Sequence, residues 1–147
     1  MAQIAWFRAY VEKLLREAGD PDVVPDEDGD YPFRWGTAAC WLRVCEEPHL
    51  RVQVFGQAAF GVKASARLLR ELNEANARTV SARVYLLGGS VLVEQSVPAD
   101  GLNEASLTQA CVAVGSVADD LGILLAVMFD GETPFPAEVE PIESEGA

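Results

Sequence analysis

His49 is the single histidine of a 147-residue chain, so any serine or cysteine nucleophile that needs an imidazole base must use it. It stands at the start of an expected strand, beside a loop, and no second element points to it. A zinc site would need several His or Cys ligands at suitable spacing. The three cysteines, Cys40, Cys45 and Cys111, do not supply one. Cys40 and Cys45 lie five apart on an expected strand, so they point to opposite faces and are poorly placed to bridge. All three read as small buried hydrophobes. Asp26, Asp28 and Asp30 alternate like the start of a calcium loop, but Tyr31 and Thr37 occupy the positions where such a loop wants Gly and Glu. The segment reads as a solvated loop, with an atypical cation site as the alternative. Gly88-Gly89 lies between strands rather than ahead of a helix, so it is no phosphate cradle. Carboxylate pairs are plentiful only in one loop and the tail, where nothing desolvates them into a tuned acid/base pair. The residues therefore single out no catalytic group and no cofactor site, and no metal site beyond that cation alternative.

Arginines interleaved with large aromatics offer a different chemistry, the anchoring of an acidic or extended peptide. Arg34, Arg43, Arg51 and Arg83, with Trp41, Phe55 and Tyr85, are expected to share one face of a sheet. Arg43, Arg51, Arg83, Trp41, Phe55 and Tyr85 are the candidate peptide contacts. The alternative is a solvated face on which arginine stems lie over aromatic rings.

Positioning that set requires strands of known register. Residues 3–18 read as an amphipathic helix, with Ile4, Phe7, Val11, Leu14, Leu15 and Ala18 on one stripe. Gly19, Pro21 and Pro25 end it and keep the acidic loop irregular. Tyr31, Phe33 and Trp35 alternate up to a Gly36-Thr37 turn. Ala38, Cys40, Leu42 and Val44 continue on the same face, and Leu50, Val52 and Val54 follow a short loop at residues 46–48. Ser65 is a helix N-cap, and Leu68, Leu69, Leu72 and Ala75 stripe a short helix to about Asn76. Residues 80–87 and 90–97 flank the Gly88-Gly89 hairpin turn. A last helix covers residues 103–129, where Gly115 and Gly122 are expected to weaken or bend it. The order α-β-β-β-α-β-β-α predicts an α+β fold, an antiparallel five-stranded sheet with its helices on one face.

The turns give a register. The Gly88-Gly89 hairpin pairs Leu86 with Val91 and Val84 with Val93 inside, and Tyr85 with Leu92 and Arg83 with Glu94 outside. The Gly36-Thr37 turn pairs Phe33 with Cys40 and Arg34 with Ala39. A three-residue loop at 46–48 sets Leu42 against Val52, Trp41 against Gln53 and Arg43 against Arg51. That last pairing is a conflict of like charges unless an acidic group sits between them.

The chain holds 23 acidic and 11 basic residues, for a net charge of −12 and a pI near 4.3. Twelve of the acids fall in residues 20–30 and 130–145, and the rest of the chain is formally neutral. Nucleic acid and anionic membranes are thereby disfavoured as partners. The charged N-terminal helix is no signal-peptide core, no run of eighteen consecutive apolar residues occurs, and the sparse cysteines suggest a reducing cytoplasm. Residues 1–131 are expected to form one domain and residues 132–147 an acidic, proline-containing tail. Part of that tail is expected to lie on the arginine-rich face, or on a partner subunit's face.

Element order, size and acidity resemble the type III secretion chaperone fold. More closely, the sequence resembles the YbjN family of chaperone-like bacterial proteins. The resembling stretches are residues 68–76 (LLRELNEAN), 88–102 (GGSVLVEQSVPADGL) and 118–131 (ADDLGILLAVMFDG). The resemblance implies a non-enzymatic protein, often a homodimer, that binds a peptide or protein partner or acts in regulation. It carries no catalytic residues. Asn73 and Asn76 match the family's paired asparagines, and the residues suggest structural roles, Asn76 as a C-cap and Asn73 bonding a neighbouring loop. Two further readings remain: a dimerisation domain with no peptide site, and a small-ligand or enzymatic domain.

Overall fold

The computed structural model describes residues 2–137. Helix α1 (Ala2–Glu17) precedes strands β1 (Tyr31–Trp35), β2 (Ala38–Cys45) and β3 (Arg51–Phe60), then α2 (Ala66–Arg78), β4 (Arg83–Leu87), β5 (Ser90–Pro98) and α3 (Glu104–Met128). The five strands form one antiparallel sheet in the order β1-β2-β3-β5-β4. The expected α+β architecture and element order are those observed.

Alternation builds the core. Tyr31, Cys40, Leu42, Val44, Val52, Val54, Val84, Val91 and Val93 face inward and bury against Phe7, Val11 and Leu14 of α1, Leu68 and Leu72 of α2, and the length of α3. Ser65 caps α2, its hydroxyl accepting from Leu68 N–H at 3.0 Å. Asn103 and Ser106 cap α3 reciprocally, each side chain accepting from the other's backbone N–H at 2.9 Å.

The two glycines of α3 are points of contact with the sheet. A Cβ on Gly115 would meet the Trp35 side chain at 2.4 Å, and one on Gly122 would meet the Ala58 carbonyl oxygen at 2.2 Å. Seven residues apart, they lie on one helix face and let α3 approach β1 and β3. By length and composition α3 is apolar enough to cross a membrane, but here it lies on the sheet with Leu107, Val114, Ala118, Leu121 and Leu125 buried. Its apolar surplus stays outside, on Val112, Ile123, Leu124 and Val127.

The β1–β2 and β4–β5 registers match the turn-based expectation, Phe33 facing Cys40 and Val84 facing Val93. The β2–β3 register differs by two residues. Leu42 faces Val54, Trp41 faces Phe55 and Arg43 faces Gln53. The connection spans residues 46–50, not 46–48. A two-residue slip leaves every side chain on the same face, so hydrophobic alternation cannot distinguish the registers. The observed one pairs aromatic with aromatic and sets Arg51 opposite Cys45, which removes the Arg43–Arg51 clash.

The paired asparagines also differ from expectation. α2 runs on to Arg78, and Thr79 is its C-cap. Asn76 turns to β4, one of the two edge strands of the sheet, where its amide nitrogen donates to the Val84 carbonyl at 2.8 Å and its oxygen accepts from Val84 N–H at 2.7 Å. One side chain thus satisfies both polar groups of an edge residue. Asn73 is exposed, and its side chain makes no hydrogen bond among the described residues.

Candidate functional site

The helices cover one face of the sheet, and the expected arginine–aromatic set lies on the other. β2 and β3 place Trp41 directly beside Phe55, with ring centroids 5.4 Å apart and planes within 18°. The Arg43 guanidinium lies 4.7 Å from the Phe55 centroid. It also makes a two-toothed contact with Asp30, Nε to Oδ1 at 3.0 Å and Nη2 to Oδ2 at 2.7 Å. Hydrogen bonding to Asp30 raises the Arg43 pKa above its ordinary value. Asp30 is 4% exposed, so this end of the acidic loop is a buried anchor and not the solvated segment expected. Asp26 shapes the loop by accepting from the N–H groups of Asp28 and Asp30 at 2.9 Å. No cluster of metal-ligating side chains occurs among the described residues.

Across the sheet, Arg83 and Glu94 form the expected cross-strand pair. Glu94 is 3% exposed although it sits on the outer face. Its carboxylate is flanked by the Arg83 guanidinium and the Gln53 amide, which donates to Oε2. Arg83 also lies over the Tyr85 ring, 5.4 Å from its centroid. Arg51 stands at the β2–β3 loop, its Nε donating to the Ser96 hydroxyl at 3.3 Å and its Nη1 to the Glu47 carbonyl. The six candidates therefore form two groups, Trp41–Phe55–Arg43 and Arg83–Tyr85, with Arg51 at one end. Cation and ring are stacked in both groups, and the side chains of Arg43 and Arg83 stay 47% and 74% accessible.

Sequence reasoning put Gln53 and part of the tail on this face but did not assign Asp30 to it or single out Phe135. The Arg43–Arg51 clash that suggested an acid nearby belongs to a register the structure does not have, and only the folded loop shows Asp30 beside Arg43. Phe135 belongs to the tail. The described part of the tail reaches this face at Arg34, whose guanidinium lies 4.5 Å from the Phe135 centroid. Residues 138–147, where the other tail acids expected on this face fall, lie outside the described residues.

His49 is exposed in the β2–β3 loop. Burial pushes the Cys40 thiol up to about 12 and Cys111 up to about 11, so neither is a nucleophile at neutral pH. Burial, then a 2.6 Å hydrogen bond to Glu12, pushes the Tyr31 hydroxyl up to about 12. Arg8 donates to that same hydroxyl at 3.0 Å and to the Gly29 carbonyl at 2.9 Å, tying α1 to the acidic loop. A shallow groove between α2 and α3 is lined by Ala75, Arg78, Val117, Asp120, Leu121 and Leu124, with no paired acid and base.

Comparisons with known proteins agree with this architecture. The family model described as T3SS (YopN, CesT) and YbjN peptide-binding chaperone 1 matches residues 5–137. A chain from the crystal structure of the ExsC-ExsE complex superposes with a TM-score of 0.63 at 18% identity, covering 80% of this chain and 94% of that one. No curated relative matches the chain.

Proposed function

Because the chain belongs to the family of type III secretion and YbjN peptide-binding chaperones, we propose that it binds a peptide or protein partner on the outer face of its sheet. The observation that carries this reading is the stacked Trp41–Phe55–Arg43 array on the face that no helix covers. Rigid rings and oriented guanidinium groups are the residue types that anchor protein contacts at low entropic cost. Arg51, Arg83 and Tyr85 extend the same surface. The reading is of a binding protein and not a catalyst, acting in the cytoplasm. The non-catalytic part is supported by the protonated state of buried Cys40 and partly buried Cys111 and by the position of His49 in an exposed loop.

The test is capture of a partner, its identification, and titration of the purified pair. Trp41→Ala with Arg51→Glu should weaken the pair about tenfold or more, since a central anchor contributes about 2 kcal/mol. Unchanged affinity, in a variant with an unchanged melting curve, rejects this face. Arg43 is a poor choice for the test because Arg43→Glu would set a second carboxylate against buried Asp30.

Homodimerisation is the second part of the proposal. Ile123, Leu124 and Val127 are exposed on α3, and Val127 is 82% accessible. A second copy covering them removes an apolar patch from water. Light scattering should give twice the chain mass, and Leu124→Glu should reduce it to the monomer. A monomeric wild type rejects the dimer and leaves the peptide face standing.

A further inference from the structure

The fold continues past its last helix. Asp130 adopts the left-handed backbone conformation, with φ of 54°. Gly131 follows at a point where a Cβ would meet the Val62 side chain at 2.6 Å. This close turn delivers the next residue onto β3. Phe60 N–H donates to the Glu132 carbonyl and Glu132 N–H donates to the Phe60 carbonyl, both at 2.9 Å. The β2 ladder ends toward this side at Ala39, opposite Gln57, so Phe60 presents an edge that the β1–β2 hairpin leaves open. Phe135 N–H then donates to the Thr37 carbonyl at 3.1 Å. Its ring lies against Arg34, whose Nη2 donates to the Pro136 carbonyl at 3.3 Å. Arg34 is itself aimed by its Nε, which donates to the Gly36 carbonyl at 2.7 Å.

Main-chain pairing with an open strand edge, joined to one ring on one cation, is how a foreign extended peptide is recognised. We propose that the corner made by Phe60, Thr37 and Arg34 is a binding site for an extended segment bearing an aromatic residue between prolines. The chain fills it in cis with its own residues 132–136, Phe135 between Pro134 and Pro136, as a displaceable strap. Three backbone hydrogen bonds, the Arg34 bond to the Pro136 carbonyl and one ring contact hold the strap, against the entropy of ordering its residues. Those contacts are few for the residues they order, so the strap opens locally without unfolding the sheet. Arg34 lies on the same outer face as Arg43 and Arg51. On the reading above, a partner spanning that face reaches Arg34 after the strap leaves; the binding corner itself does not depend on that reading.

A labelled peptide of residues 131–137 (GETPFPA) titrated against full-length chains tests the site. Phe135→Ala should bind it about tenfold more tightly than the wild type, because the tethered competitor is weakened. Adding Arg34→Ala should remove that gain. Equal binding to the two chains, or no binding to Phe135→Ala, overturns the proposal. Amide exchange of the wild-type chain gives a measure independent of any variant. Phe135 N–H should exchange by local opening, about a hundredfold or more faster than Val54 and Val93. Exchange of Phe135 only with global unfolding overturns displaceability. Partner capture by Trp41 and Arg51 is a separate measurement, so either proposal can fail alone.

Discussion

Asp119 of α3 holds Thr37 by both of its donors: one carboxylate oxygen accepts from the Thr37 backbone N–H and from its hydroxyl, each at 2.8 Å. Thr37 is 1% exposed, so without Asp119 both donors lie buried and unpaired. Gly36, with φ of 58°, leaves room for the carboxylate, because a Cβ there would fall 2.4 Å from it. One contact thus fixes the β1–β2 hairpin to the last helix and aims the Thr37 carbonyl at Phe135.

Asp119→Ala is expected to lower unfolding stability by about 2–3 kcal/mol, from two charge-assisted hydrogen bonds lost and two donors stranded. Asp119→Asn keeps an acceptor and should cost about half as much. Urea denaturation of the three chains checks the ranking. Equal losses in both variants would mean that the charge, and not the acceptor, matters.

Gly122→Ala tests close approach against helix propensity. Alanine favours an isolated helix by about 1 kcal/mol, but its methyl would overlap the Ala58 carbonyl oxygen. A net loss of about 1–3 kcal/mol is expected from the displaced helix. A stabilised variant would show that α3 can slide away from β3 freely.

Alkaline pH should lower the stability of the fold. An unfolded thiol titrates near 9.0 and an unfolded tyrosine near 10.0, whereas Cys111 is pushed up to about 11 and Cys40 and Tyr31 up to about 12. Raised values stabilise the fold fully below about pH 9, and that contribution is lost as pH rises through the folded values. Urea titrations across this window should show stability falling, and less steeply in Cys40→Ala. Below pH 9, a thiol reagent should modify half-buried Cys45 ahead of Cys40 and Cys111, as read by mass spectrometry.

Arg43 and Asp30 should couple. A double-mutant cycle with Arg43→Ala and Asp30→Ala is expected to give about 1–2 kcal/mol, reduced from a fully buried pair because the guanidinium is half exposed. A coupling near zero would return the acidic loop to a solvated segment.

Much of this chain was legible in its sequence. Alternation placed Tyr31, Leu42, Val52 and Val93 inside, and the two glycine turns set the β1–β2 and β4–β5 registers. Those signals are local, carried by side-chain period and turn chemistry within a few residues. Ser65 as a cap and Arg83 against Glu94 were readable for the same reason. The β2–β3 register was not, because a shift of two preserves every face and the loop carries no turn signal of fixed length.

Long-range choices escaped the sequence altogether. Asp30 is one of six acids in residues 20–30, and only packing of the loop onto β2 selects it for Arg43. Asn76 looks like a helix terminus until the sheet order makes β4 an edge that needs its amide. Gly115 and Gly122 look like helix weaknesses until Trp35 and Ala58 are brought against them. The sequence by itself determined element order, the buried face and the arginine–aromatic composition of the other face, because each depends on neighbours in the chain. Tertiary structure alone decided which acid neutralises which arginine and where the tail crosses the sheet, because hydrogen bonds and close contacts depend on distances between segments that periodicity does not encode.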